Sequence, residues 1–420
     1  MPTGPSTPSA PSGSAAAPGG LTGPWLIAVL CAAQVLGMLS NSTFPALIPT
    51  FQQLWGLNNT EAGWISGIYF GGYVAAVPVL VSLTDREDAR LIYLASTVLG
   101  GLAALGFALF ADGLWSALVF RFLGGIGLAG TYMVGLKLLS DRLAGSRQSR
   151  AVAIYTSHFG IGVALSIAAA GWVANLADWR WAFGSAALGS LAALLLIVVF
   201  VRPGARPRPT VVLGHPLDLR PVFGNRRALA FILGYAAHIW ELFGMRAWIV
   251  AFLVFAFHRQ QIQTWGGWTP TDLAAAALLL GMPGSVLGNE LAVRFGRRRM
   301  IPILMTASAV ISLGLGFLAD LSIGLLVALV FLYSALLMSD SGALTSGAVA
   351  RAEPHRRGAT MAVHSLMGFS SGFLAPLAFG LVLDLAGGAE QLLAWGLAFA
   401  MLALSAVVGL PIVLRMGRSP

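Results

Sequence analysis

One stretch of the chain concentrates side chains able to carry protons and charge: His238-Ile239-Trp240-Glu241-Leu242-Phe243-Gly244-Met245-Arg246-Ala247-Trp248. On a helix, His238, Glu241 and Met245 (i, i+3, i+7) share one face. Arg246 falls about 140° around from Glu241 if the helix is regular, and Gly244 is where that regularity can fail. The neighbours are apolar, so an ionised Glu241 needs a partner or takes up a proton. That is the chemistry of a proton carrier; the alternative is a buried Glu–His or Glu–Arg pair that only fixes helix packing. Two further charges lie in apolar stretches. Asp340, in Ser339-Asp340-Ser341, is either a second acid for proton traffic or the cap of a helix that ends early. Arg121 precedes Gly124, Gly125, Gly127 and Gly130; it should turn inward and find an acceptor, unless it snorkels to the surface. Glycines at that spacing let helix backbones approach closely.

These residues need helices in lipid to hold them. Hydrophobic residues make up 57% of the 420, charged residues 10%, and the mean hydropathy is +0.81. Soluble domains carry roughly 25% charged residues, so the composition is that of a membrane protein. No ten-residue alternating segments suggest a β-barrel. The pattern predicts an all-α fold with twelve spans at about 24–48, 60–82, 92–111, 114–137, 151–174, 181–201, 229–255, 270–293, 300–319, 322–347, 359–383 and 390–414. In the first span, Asn41, Pro45 and Pro49 predict a bend in the outer half. Of the 25 Lys and Arg residues, 21 then lie on one side. This positive-inside bias predicts a multi-pass protein of the cytoplasmic membrane with both termini in the cytoplasm. The net charge of +9 is read as topology, with the lipid bilayer as partner and no nucleic acid. His158 and His364 read as packing residues, and Met361 and Met367 as gap-fillers, so no metal site is expected. Cys31 is the one cysteine, and no cofactor is expected.

The chain repeats itself. Leu83-Thr84-Asp85-Arg86-Glu87-Asp88-Ala89-Arg90 and Leu291-Ala292-Val293-Arg294-Phe295-Gly296-Arg297-Arg298 are related by an offset of 208. Ala151…Gly160 and Ala359…Gly368 share that offset, and two capping boxes, Asn58…Glu61 and Thr269…Asp272, open equivalent spans. A repeat of half the chain implies two copies of one module. The expected organisation is a disordered cytoplasmic tail (1–23), a six-helix bundle (24–201), a cytoplasmic linker (202–228) and a second six-helix bundle (229–414).

On these motifs the chain resembles the major facilitator superfamily of secondary transporters, over nearly all of residues 24–415. The family's loop motif, Gly-x-x-x-Asp-Arg-x-Gly-Arg-Arg, keeps Asp85, Arg86 and Arg90 in the first copy, with Val81 and Asp88 in place of its glycines. The second copy has Val293 at the aspartate position. The resemblance implies two pseudo-symmetric bundles working by alternating access, with Asp85, Arg86 and Arg90 at a gate. It also implies a central cavity lined by spans 1, 4, 7 and 10, which carry Arg121, His238, Glu241, Arg246 and Asp340. The function expected from it is proton-coupled uptake of a small anion by a monomer. The alternatives are efflux of drugs or metabolites, and a receptor or assembly factor built on a carrier fold. No phosphate-binding loop or nucleophile–base arrangement suggests an enzyme.

Overall fold

The computed structural model describes residues 23–143, 145–204, 219–353 and 356–416, and nearly all of them are helical. The first crossing is interrupted: α1 (Gly23–Gly37), α2 (Thr43–Ala46) and α3 (Ile48–Trp55) follow one another with turns between. The first half continues with α4 (Asn59–Leu83), α5 (Ala89–Phe110), α6 (Leu114–Ser140), α7 (Gly145–Leu176) and α8 (Trp179–Phe200). A short α9 (Arg220–Gly224) leads into the second half, which comprises α10 (Arg226–Arg259), α11 (Pro270–Phe295) and α12 (Arg297–Leu315). It ends with α13 (Ile323–Ser339) and α14 (Ser341–Arg351), which form one crossing in two pieces, then α15 (Arg357–Leu385) and α16 (Leu392–Met416). Eleven helical segments of the described residues are long and apolar enough to cross a membrane, and the interrupted crossing adds the twelfth. The two six-helix bundles meet mainly through α4 against α15 and α7 against α11.

Both expected capping boxes form. Asn58 Oδ1 accepts from the Glu61 amide (2.8 Å) while Glu61 Oε2 accepts from the Asn58 amide (2.9 Å). Thr269 and Asp272 do the same at the start of α11, with Pro270 at the first helical position.

Several boundaries differ from the sequence-based expectation. The first span does not run to 48 as a bent helix; it breaks after Gly37 and reaches Trp55 in short pieces. Pro45 has no N–H to give the Asn41 carbonyl four residues back, so the ladder cannot continue there. The seventh span begins at Arg226, inside the expected linker, and is unbroken at Gly244, whose missing side chain instead admits Leu402 of α16. The tenth span is divided at Asp340. The expected tail up to residue 22, and linker residues 205–218, lie outside the described residues.

Close packing within the first half depends on the glycines of α6. A Cβ on Gly125 would lie 1.8 Å from the Tyr69 carbonyl oxygen of α4, and one on Gly127 would lie 2.8 Å from Gly100 of α5. Gly125→Val therefore forces α4 and α6 apart, at a cost of about 1–3 kcal/mol. The apparent melting temperature in detergent should drop by roughly 2–10 °C; a variant melting with the wild type would contradict this packing account.

Candidate functional site

Helix α10 passes through the interior and is buried along most of its length. Being regular, it distributes its polar side chains around the axis. His238 points at the joint between α13 and α14, where its Nδ1 lies 2.7 Å from Asp340 Oδ1, with both side chains buried. The contact is at ion-pair distance without in-line hydrogen-bond geometry, and His238 Nε2 has no hydrogen-bond partner. Asp340 occupies the cap position of α14 but makes no side-chain cap bond. Its carboxylate turns to the histidine instead.

Glu241 faces α12 and α13, inside the second half. Its Oε1 accepts from the Tyr333 hydroxyl (3.0 Å) and its Oε2 from the Ser308 hydroxyl (3.3 Å). The Tyr333 hydroxyl also lies 3.1 Å from Ser312 Oγ, which donates to the Phe399 carbonyl (2.9 Å). Both carboxylate oxygens are thus engaged within one bundle.

Arg246 is different. It is 7% exposed, its Nε has no hydrogen-bond partner, and its Nη2 reaches only the Met338 sulfur at 3.7 Å. The guanidinium lies 5.5 Å from the centre of the Phe243 ring, and among the described residues no carboxylate pairs with it. A buried guanidinium held by a thioether and a ring has little to compensate its charge.

Around these groups, aromatic rings bridge the halves. Phe70 meets Phe243 at 4.4 Å between centroids, Tyr73 meets Phe369 at 4.1 Å, and Tyr73 Oη lies 3.2 Å from Ser365 Oγ. The Tyr235 ring stacks on His364 at 3.9 Å and on His238 at 5.8 Å. His364 Nε2 lies 3.4 Å from Thr345 Oγ1, and its Nδ1 is buried without a partner. His158 bonds its own helix at Ile154 O (2.7 Å). Among the described residues, no group of His, Cys, Asp and Glu side chains has the arrangement of a metal site.

Arg121 is held apart from this cluster, in the first half. Its Nη1 donates to Ser40 O (2.7 Å), its Nη2 to Asn41 O (2.8 Å) and its Nε to Ile65 O (3.4 Å). The Tyr69 ring lies 4.2 Å below the guanidinium. It therefore satisfies carbonyls freed by the break in the first crossing, including the one Pro45 cannot serve. Ser166 Oγ completes the repair by donating to Leu39 O and accepting from the Ser42 amide (2.9 Å).

At the loop expected to form a gate, Asp85 and Arg86 are exposed, and no described residue pairs with Asp85. Arg90 donates to the Val201 (2.5 Å) and Val198 (3.1 Å) carbonyls, closing the end of α8 within its own half. At the opposite face the halves are bonded together. Asp384 of α15 accepts from the start of α4, and Asp272 Oδ1 of α11 accepts from Trp172 Nε1 of α7 (2.8 Å). The molecule is thus fastened on the face away from its basic loops. Sequence reasoning missed Asp384, Tyr333 and Tyr235; the position of Asp384 at the end of an apolar helix, 325 residues from its partner, gives no local signal.

The family model for the Major Facilitator Superfamily matches residues 30–376. The chain belongs to that superfamily. Protein spinster homolog 1 of Homo sapiens is 26% identical over 242 residues, covering 54% of this chain and 45% of that protein. The chain thus matches less than half the length of that relative. The hexuronate transporter of Escherichia coli is 23% identical over 313 residues, 69% of each chain. A probable multidrug-efflux transporter of Mycobacterium tuberculosis is 29% identical over 222 residues, 52% of this chain and 42% of that one. The crystal structure of a bacterial homolog to the human lysosomal transporter spinster, inward-facing and occupied, shares the fold. It has a TM-score of 0.78 at 15% identity, over 94% of this chain and 97% of that one.

The Arg121 geometry gives a direct expectation. Arg121→Met leaves all three carbonyls without this donor; for those of Ser40 and Asn41, at the break, the loss is worth about 1–3 kcal/mol each. Thermal unfolding in detergent should show a large loss of stability, with Arg121→Lys intermediate because one ammonium cannot reach all three. A methionine variant as stable as the wild type would remove Arg121 from this role.

Proposed function

We propose that the chain is a secondary transporter that carries a small organic or inorganic anion into the cell by alternating access, together with a proton. The basic face is then the cytoplasmic one, and the arrangement described above is an inward-facing state. The observation that carries the anion reading is Arg246. Asp340 is engaged by His238 and Glu241 by two hydroxyls, so Arg246 is the central charge left for a substrate to neutralise. A carboxylate or phosphate oxygen pair matches a guanidinium fork.

For the proton we favour the His238–Asp340 pair over Glu241. The pair sits at the interruption between α13 and α14, and broken helices at mid-membrane are where carriers bind their ions. Glu241 faces its own bundle, and its hydrogen bonds suit a fixed strut between α10, α12 and α13. Asp85 and Arg86 are assigned to a cytoplasmic gate, which is open in this state and leaves Asp85 unpaired; Arg90 anchors the loop beneath it. Arg121 is assigned to holding the broken first crossing.

Efflux of an amphipathic compound is the second reading. It is favoured by the aromatic cluster of Phe70, Phe243, Phe369 and Tyr73 at the seam, and by the efflux relative.

Reconstitution into liposomes separates the readings. Uptake of labelled anions should be stimulated by an imposed gradient, acid outside. Asp340→Asn should keep anion exchange at zero gradient but lose gradient-driven accumulation, whereas Glu241→Gln should keep both in whatever protein folds. No uptake of any anion in a broad panel would overturn the anion reading. Gradient dependence lost in Glu241→Gln and kept in Asp340→Asn would overturn the choice of proton site.

A further inference from the structure

Asp384 makes a contact that neither the motifs nor the central charges explain. It lies in the last turn of α15, in the second half, and its carboxylate is set against the first turn of α4 in the other. Oδ1 accepts from the Asn59 amide (3.1 Å) and Asn59 Nδ2 (2.7 Å), while Oδ2 accepts from the Thr60 amide (2.8 Å) and Thr60 Oγ1 (2.6 Å). The start of a helix leaves its first amides without intrahelical acceptors. In α4 the capping residue Asn58 takes the Glu61 amide, and its backbone carbonyl takes that of Ala62. The remaining two, from Asn59 and Thr60, both go to Asp384. The helix therefore completes its own N-terminus only by borrowing a carboxylate from the other bundle. The charge also lies where the helix dipole favours an anion.

The second capping box takes part in a matching contact with the roles reversed. There Asp272 of the box accepts an indole N–H from Trp172 across the same divide. Both contacts lie on the face away from the basic loops, and both join helix pairs, α4 with α15 and α7 with α11, that form the main seam.

We propose that Asp384 is the latch that closes the outer face, and that it must release the α4 N-terminus each time the carrier opens outward. This rests on the alternating-access reading but not on the substrate or proton assignments. The latch is suited to repeated opening because both partners sit at helix ends, where water replaces the lost hydrogen bonds. Breaking it exposes two amides and one carboxylate to solvent and costs no buried charge.

Two variants test it. Asp384→Ala removes all four bonds. Asn59→Pro removes the two from Asn59 and is compatible with the fold, because proline at the first helical position lacks only an amide the helix does not use. Asn58 already has the extended backbone (φ −75°, ψ 172°) that proline requires of the preceding residue, and α11 carries Pro270 at the same place. Spin labels at Leu54 and Glu390, with Cys31→Ser, report the separation of the outer face by pulsed dipolar spectroscopy. Both variants should raise the ratio of long to short distances, Asp384→Ala by about tenfold or more, the effect of losing a set of charge-assisted bonds. If Asp384→Ala does not fold, Asn59→Pro alone decides. Distance distributions identical to the parent's in every variant that folds would overturn the latch. Transport of any substrate by the parent, whichever it proves to be, leaves this reading independent of the anion proposal.

Discussion

Hydrocarbon supplies no hydrogen-bond partners, so every polar group inside a membrane span must be satisfied by the protein itself. The rest of this structure follows from that constraint. It is why the break in the first crossing needs Arg121: the carbonyls of Ser40 and Asn41 lose their helical donors, and a guanidinium from α6 replaces them. It is why Glu241 is tied to Tyr333 and Ser308. Against that background, Arg246 stands out as the buried charge with the poorest internal compensation.

The same constraint sorts the polar contacts by half. The Arg121 network lies wholly in the first bundle, and the Glu241 and His238–Asp340 contacts lie wholly in the second. Such wiring lets each bundle move as a rigid body without breaking the Arg121, Glu241 or His238–Asp340 contacts. The hydrogen bonds that Asp384 accepts, that Trp172 donates and that link Tyr73 to Ser365 do cross the seam, where α4 and α7 meet α15 and α11. Between them the aromatic contacts of Phe70 with Phe243 and Tyr73 with Phe369 are non-directional and can slide. Rocking of one bundle on the other is the motion these contacts permit, and it is the motion alternating access requires.

Much of the fold was legible in the sequence because it rests on composition and local signals. The 208-residue offset announced two modules, the apolar runs announced membrane helices, and the capping boxes were readable as four-residue patterns. The site was legible only as a set of residue types. Helical spacing placed His238 and Glu241 on one face, yet they serve different neighbours, because partner choice depends on residues 67–102 positions away in sequence. Gly244 looked like a break and is a packing notch, whereas the breaks fall near Pro45 and at Asp340. Arg121 looked like a cavity charge and is bonded to backbone, because the need it meets is created by a proline 76 residues earlier. Asp384 carried no local signal at all.

The central claim is that the uncompensated charge of Arg246 receives the negative charge of the substrate. Equilibrium binding to detergent-purified protein tests it without requiring transport. Radiolabelled organic and inorganic anions would be titrated against the wild type and Arg246→Gln, with melting curves confirming that both are folded. The account predicts saturable binding of at least one anion by the wild type, and affinity weaker by about ten- to a hundredfold in the variant. An anion bound equally well by both proteins, or binding only of uncharged compounds, would contradict it.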